Sequence, residues 1–219
     1  MTPAAYLALD EIFAAHRRSG KAIRNRLQEF AAVPPEDLFY ELAYCLLTPQ
    51  SSAEHADRAV QALREAGFRE RGFDPTAILR RPEAYIRFHN TKARRLLEVR
   101  VQFPDIDGVV QTGRCASDGR ETEGPRVRQW LVQHVHGLGM KEASHYLRNI
   151  GFRNLAILDR HILRNLRHHR VLRSVPAAMT IRRYLRIEER FRTFAKATGI
   201  PMDELDLLFW SKETGVIRK

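Results

Sequence analysis

This sequence predicts an all-α protein of two helical lobes with a helical hairpin at their junction. Three observations carry that prediction. Apolar residues recur at helical spacing along most of the chain, as in Leu38, Leu42 and Leu46. Proline, serine, aspartate and glycine stand where helices start and stop. The few β-branched runs do not alternate, so no sheet is expected. A chain of 219 residues buries a substantial core, and 44% apolar with 29% charged residues belongs to a soluble globular protein.

Each element has its own local signal. Leu7, Ile12, Ile23 and Leu27 predict two helices over Pro3–Phe30, or one broken at Ser19–Gly20. Pro34–Pro35 with Glu36 and Asp37 opens a helix through Leu38, Leu42 and Leu46 that ends near Pro49. Ser51 or Ser52 caps the next, which runs toward Gly67 over Ala56, Ala59, Val60 and Leu63. Asp74–Pro75 starts a short helix, and Pro82 another that takes in Tyr85, Ile86 and the motif Arg87–Asn90. Thr91–Val101 sets Ala93, Leu96 and Leu97 on one side and basic residues on the other. Ile106–Pro125, with four glycines among polar residues, predicts a loop with a short helix. Pro125 opens Arg126–Val135, the first helix of the hairpin, and the second carries Ala143, Tyr146, Leu147 and Ile150 on one face. Asp159 caps Arg160–Arg167, and Pro176 precedes a long helix from about Thr180 to Thr198. Gly199–Pro201 stops it, and Pro201–Lys212 is the last helix before the tail Glu213–Lys219.

Chemistry concentrates in the hairpin, VHGLGMKEASHYLRNIGFRNLAILD from Val135 to Asp159. Gly137 and Gly139 allow a tight turn whose amides, with the next helix N-terminus, suit an anion such as a phosphate. Lys141 falls in the first turn of that helix, where the dipole disfavours a cation, so another interaction must justify it. An isolated lysine there is ordinarily a surface residue, an isolated GxG turn is ordinary geometry, and Asp159 is accounted for by capping alone.

The segment resembles the helix-hairpin-helix and following Asp-containing element of the base-excision DNA glycosylases. LLTPQSS (Leu46–Ser52), RFHNTKARRLL (Arg87–Leu97), HGLGMKEASHYLRNIGF (His136–Phe152) and AILDRHIL (Ala156–Leu163) are similar to one branch. That branch is the archaeal-type 8-oxoguanine DNA glycosylase/lyase family, and the resemblance runs from about Leu38 to Lys219. It implies a bifunctional enzyme that excises 8-oxoguanine and cleaves the strand through a lysine Schiff base. Lys141 matches the nucleophile, Asp159 the essential carboxylate, and Lys219 the terminal lysine that helps to recognise the oxidised base. A lysine attacks only as the neutral amine, which burial or neighbouring cations favour.

The remaining assignments build on that frame. Excess basic residues, 37 against 26 acids for a formal +11, favour a polyanion, here damaged double-stranded DNA. Gly137, Gly139 and His136 at the hairpin, with Arg148, Arg160 and Arg164 nearby in sequence, are the expected DNA contacts. A flipped base needs an aromatic wall, for which Phe88, Phe209 and Trp210 are available, Trp210 being preferred for stacking and two of the three belonging to the core. His89 and His161 are expected near the site as DNA contacts or supporting residues. No acid–histidine set has zinc spacing, and Cys45 and Cys115 provide neither a disulfide framework nor a four-cysteine cluster. No cofactor is expected, although in such folds hairpin carbonyls hold a positioning cation. The first twenty residues mix acids and bases without a long apolar core, so neither a signal peptide nor a membrane span is expected there. A cytoplasmic monomer without an obligate protein partner is the default. Two alternatives are a glycosylase/lyase for oxidised pyrimidines and a non-enzymatic helix-hairpin-helix DNA-binding module, which has no use for Lys141 and Asp159 together.

Overall fold

The computed structural model describes residues 6–115, 123–215 and 217. Its helices run α1 (Leu9–Ala31), α2 (Leu38–Leu47), α3 (Ala53–Glu65), α4 (Phe68–Arg71), α5 (Thr76–Leu79), α6 (His89–Cys115), α7 (Gly124–His134), α8 (Met140–Asn149), α9 (Arg160–His168), α10 (Ile181–Thr198) and α11 (Met202–Thr214). No strand occurs among the described residues. The chain divides into an inserted unit, Val33–Tyr146, and a terminal unit, Met1–Ala32 with Leu147–Lys219. The dividing point falls inside α8.

In the inserted unit every residue of α2 is buried, so this helix is the core around which α3 and α6 pack. Phe39 anchors an aromatic cluster, its ring 5.2 Å from Phe103 and 6.1 Å from Phe68. Each such ring contributes roughly 1.5–3 kcal/mol by leaving water. Ser52 caps α3 by accepting from the His55 amide at 3.1 Å, which resolves the choice between Ser51 and Ser52.

Two expectations for this unit need correction. The helix at Pro82 is a single 3-10 turn, Pro82–Ala84, and Tyr85–Phe88 lie outside any helix. Their amides are taken elsewhere: Ile86 donates to the Leu79 carbonyl at 2.9 Å, and Arg87 to the Ser51 hydroxyl at 3.0 Å. No loop starts at Ile106, because α6 continues through Pro104 and Gly108 to Cys115. Lys92, Leu96, Val99, Phe103, Ile106 and Val110 form one buried stripe, and that burial outweighs the hydrogen bond that Pro104 deletes. Gly119, on the same stretch, lies outside the described residues.

In the terminal unit α1 is one helix, unbroken at Gly20, and it packs against α11. Gly20 is buried where the helices meet. A Cβ there would approach Arg24 Nη1 at 3.1 Å and His16 Nε2 at 3.2 Å, and both side chains reach Glu204 of α11, at 3.2 and 2.7 Å. The glycine is therefore a point of close approach within a helix. Behind it His169, Phe194 and Phe209 stack, with centroids 5.9 and 5.4 Å from the histidine. Burial lowers the pKa of His169, although its ring nitrogen bonds the Leu7 carbonyl at 2.8 Å. Thr180 caps α10 and Gly199, at φ 70°, ends it.

Candidate active site

The hairpin between α7 and α8 lies in the inserted unit. Gly137 takes φ +96°, and a Cβ there would sit 2.7 Å from Arg95 Cδ, so only glycine lets the turn close over that side chain. Leu138 is buried and its amide donates to the Val135 carbonyl at 3.2 Å, which fixes the turn. The carbonyls of His136, Gly137 and Leu138 accept no backbone hydrogen bond among the described residues. His136 is largely exposed, with Nδ1 3.2 Å from Glu98 Oε2.

Lys141 is the second residue of α8 and is about one-third exposed; its Nζ lies 3.2 Å from Glu142 Oε1. That acid is the interaction which offsets the unfavourable dipole. A second lysine, Lys92, stands near it and is almost wholly buried. Its Nζ donates to the Leu47 carbonyl at 2.7 Å, the Pro49 carbonyl at 2.6 Å and the Ser51 hydroxyl at 3.3 Å. Burial lowers its pKa to about 8, and the charges of Arg95 and Lys141 push the same way.

Lys92 is tied to a pair of exposed loops. Gln50 and Phe88 have φ of 58° and 60°, a left-handed backbone that costs side-chained residues roughly 1–3 kcal/mol each. The Ser51–Arg87 hydrogen bond joins the two loops, and His55 Nδ1 bonds the Tyr85 carbonyl at 3.1 Å. Phe88 is 51% exposed, with the Arg87 guanidinium 4.9 Å from its ring centroid. His89 opens α6, its ring 5.8 Å from that of Tyr85.

Asp159 belongs to the terminal unit. The extended chain that leads to it is held by side chains of α10 and α11. The Asn154 amide donates to both Asp203 oxygens at 3.2 and 3.0 Å, the Ala156 amide to Glu188 at 2.8 Å, and Tyr184 donates to the Ala156 carbonyl at 2.5 Å. Asp159 Oδ1 then accepts from the His161 and Ile162 amides, both at 2.8 Å, as the cap of α9. Its other oxygen accepts no hydrogen bond among the described residues. One carboxylate oxygen is thus fixed by the backbone and the second is left available.

Behind Asp159 lies a buried acid that sequence reasoning did not single out. Asp206 Oδ2 is 3.8 Å from Arg148 Nη1, and Oδ1 has no hydrogen-bond partner among the described residues. Burial pushes its carboxyl up to about 7 against the pull of Arg148, and the charges of Asp159 and Asp203 add to the rise.

These placements sort the expected residues. Gly137, Gly139, His136, Lys141 and Phe88 fall in the inserted unit; Asp159, Arg160, Arg164, Arg148 and Trp210 fall in the terminal unit. Arg160 and Arg164 are exposed and Trp210 is half-buried. Phe209 is core, stacked on His169. Arg148 is a correction: it is 4% exposed, its guanidinium 4.8 Å over the Phe30 ring, and a side chain so placed is not on a DNA-facing surface. Lys219 lies outside the described residues. No group of three or more His, Cys, Asp or Glu among those residues suits a metal ion. Lys92 was detectable in the sequence, since it continues the buried stripe of α6, but the run of basic residues around it hid that register.

Comparisons with known proteins converge on one family. A family profile described as 8-oxoguanine DNA glycosylase matches residues 23–200. A Fusobacterium nucleatum protein named 8-oxoguanine DNA glycosylase/AP lyase is 37% identical over 220 residues, 96% of this chain and 97% of that protein. The crystal structure of the 8-oxoguanine DNA glycosylase of Thermotoga maritima aligns with a TM-score of 0.82 at 31% identity, covering 96% of this chain and 98% of the other. The Methanocaldococcus jannaschii 8-oxoguanine glycosylase/lyase, in complex with a 15mer DNA containing 8-oxoguanine, aligns at 0.81 with 30% identity, covering 96% and 99%.

Proposed function

From the premise that this chain belongs to the 8-oxoguanine DNA glycosylase family, we propose that Lys141 and Asp159 excise 8-oxoguanine from DNA and cleave the strand. The Lys141 amine attacks the sugar C1′ as the bond to the base breaks, and the base leaves with the electron pair and takes up a proton. Loss of a proton from the amine nitrogen and opening of the sugar ring give an imine. That imine acidifies C2′–H, and loss of this proton expels the 3′ phosphate. Asp159 stabilises positive charge developing at C1′. The observation that supports this role is its divided carboxylate, with Oδ1 held by two amides and the other oxygen available.

The hairpin amides, His136, Arg160 and Arg164 hold phosphates without reading sequence. A cation on the free carbonyls of 136–138 would position one of those phosphates and takes no part in bond breaking. Trp210, Phe88 and Lys219 are the residues assigned to recognition of the flipped base, Trp210 by stacking. Asp206, one turn before Trp210 on α11, is an acceptor suited to the N1–H and N2–H edge of the purine. No cofactor enters these steps. The same reading takes the enzyme as a cytoplasmic monomer, in keeping with one lysine–aspartate set per chain; no described helix is long and apolar enough to cross a membrane.

Borohydride trapping tests the nucleophile. Lys141→Gln is expected to lose the covalent adduct and strand cleavage while keeping DNA affinity within a few-fold, and an adduct at wild-type yield would exclude Lys141. Excision of 8-oxoguanine compared with oxidised pyrimidines in matched duplexes separates the substrate readings.

A further inference from the structure

We infer that Lys92 is a positioning residue for lesion capture, acting through the two loops it ties together rather than on the reacting atoms. The argument begins with a buried cation that the proposed chemistry does not use. An ammonium has three N–H donors, and Lys92 matches them to three acceptors: the Leu47 carbonyl at the end of α2, the Pro49 carbonyl in the turn that follows, and the Ser51 hydroxyl. Burying a cation is unfavourable and is retained only where its hydrogen bonds are made.

Those bonds converge on one short turn. Leu47, Pro49 and Ser51 bracket Gln50, whose backbone is left-handed, so the turn is held in a conformation that the free chain disfavours. Ser51 passes the constraint on. Its hydroxyl receives both the Lys92 ammonium and the Arg87 amide, one residue before Phe88, which is itself left-handed and exposed. Lys92 and Phe88 are also linked through the backbone, because the Lys92 amide donates to the Phe88 carbonyl at 3.0 Å. Lys92 therefore grips the Phe88 loop from two sides, through its own amide and through Ser51. All of these contacts lie within the inserted unit. Gln50 and Phe88 are presented to solvent as a fixed edge with little local freedom to relax.

The inference rests on the reading of Phe88 as a residue that meets the flipped base. A misplaced contact of this kind slows the step that needs it and leaves other steps intact. Base extrusion and capture need the edge, whereas attack on a site that has already lost its base does not.

The test uses the full-length protein and two duplexes, one with 8-oxoguanine and one with a pre-formed abasic site at the same position. Lys92→Met removes the charge at similar length, Ser51→Ala cuts only the relay to the Phe88 loop, and Phe88→Ala tests the underlying reading. In folded Lys92→Met, single-turnover excision is expected to fall roughly tenfold or more, with a smaller fall in Ser51→Ala. Borohydride trapping at the abasic site is expected to stay at the wild-type rate in both. A 2-aminopurine placed beside the lesion is expected to lose part of its binding-induced fluorescence rise, a signal that loss of stability alone does not change in folded protein. If Lys92→Met does not fold, Ser51→Ala alone decides. Wild-type excision in the variants that fold, with Phe88→Ala impaired, overturns the inference alone. Equal losses on both duplexes overturn it by placing Lys92 at the chemical step. Wild-type excision by Phe88→Ala overturns the reading of Phe88 and the inference with it.

Discussion

At the scale of single residues, Asp159 and Asp206 of the terminal unit make different predictions. Asp159→Asn keeps a side-chain oxygen for the amides of α9 and is expected to melt near wild type while excision falls by orders of magnitude. Asp159→Ala is expected to lose about 1 kcal/mol of capping as well, read by denaturant unfolding. Normal excision by the asparagine variant would leave the carboxylate a cap and nothing more. Asp206 is a matter of proton linkage. Its folded-state pKa, about 7, is raised above the unfolded value, so the folded state holds the extra proton between about 4 and 7. Its contribution to stability is full below that window and is lost as pH rises through 7. Melting curves across that window are expected to show a decline in wild type that Asp206→Asn flattens. Arg148 belongs here too: Arg148→Leu leaves Asp206 buried without its cation and is expected to cost about 3–5 kcal/mol.

At the scale of elements, a glycine on an exposed helix face and a glycine in the hairpin turn predict opposite signs. Gly108 sits on the exposed face of α6 with nothing within 4 Å of a new Cβ, so Gly108→Ala is expected to stabilise by about 0.5–1 kcal/mol. Gly137→Ala combines a positive φ with a 2.7 Å approach to Arg95 and is expected to destabilise the hairpin and weaken DNA binding. Chemical denaturation and a binding titration check the pair. Capped elements were the legible ones: Ser52, Asp159 and Thr180 each stand before a periodic apolar run, and each caps the helix that follows. Elements decided by tertiary packing were not. Gly20 reads as a breaker in isolation, and only the side chains converging on Glu204 from either side of it show why the helix passes through. The glycines after Pro104 likewise hid the register that buries Ile106 and Val110.

At the scale of the molecule, the all-α class and the hairpin motif were legible because they are local patterns repeated along the chain. Asp206 was not, since nothing in DELDLLFW distinguishes the acid that pairs with Arg148 from Asp203, which holds Asn154, or Glu204, which holds His16 and Arg24. Arg148 was misplaced for the same reason: nearness to the hairpin in sequence does not determine which way a side chain faces. The net charge of +11 makes a prediction that needs no single residue. Duplex affinity is expected to fall steeply with salt, each phosphate neutralised adding about −0.9 to the log–log slope. Charge reversal at exposed Arg164 is expected to weaken damaged and undamaged duplexes alike, and a loss confined to damaged DNA would place it in the base pocket instead.

The way the chain is divided also sets an order of events at the ribosome. Val33–Tyr146 is one continuous stretch and can form its internal contacts as soon as it has emerged. Helix α1 is made first yet completed last, because Glu204, which binds His16 and Arg24, lies 188 and 180 residues downstream. Through most of synthesis the apolar face of α1, with Ile12, Ile23, Leu27 and Phe30, has nothing of its own to cover it. A nascent chain halted before α11 emerges is thus a folded middle with a sticky leading helix, the species that holdase chaperones capture and proteases trim.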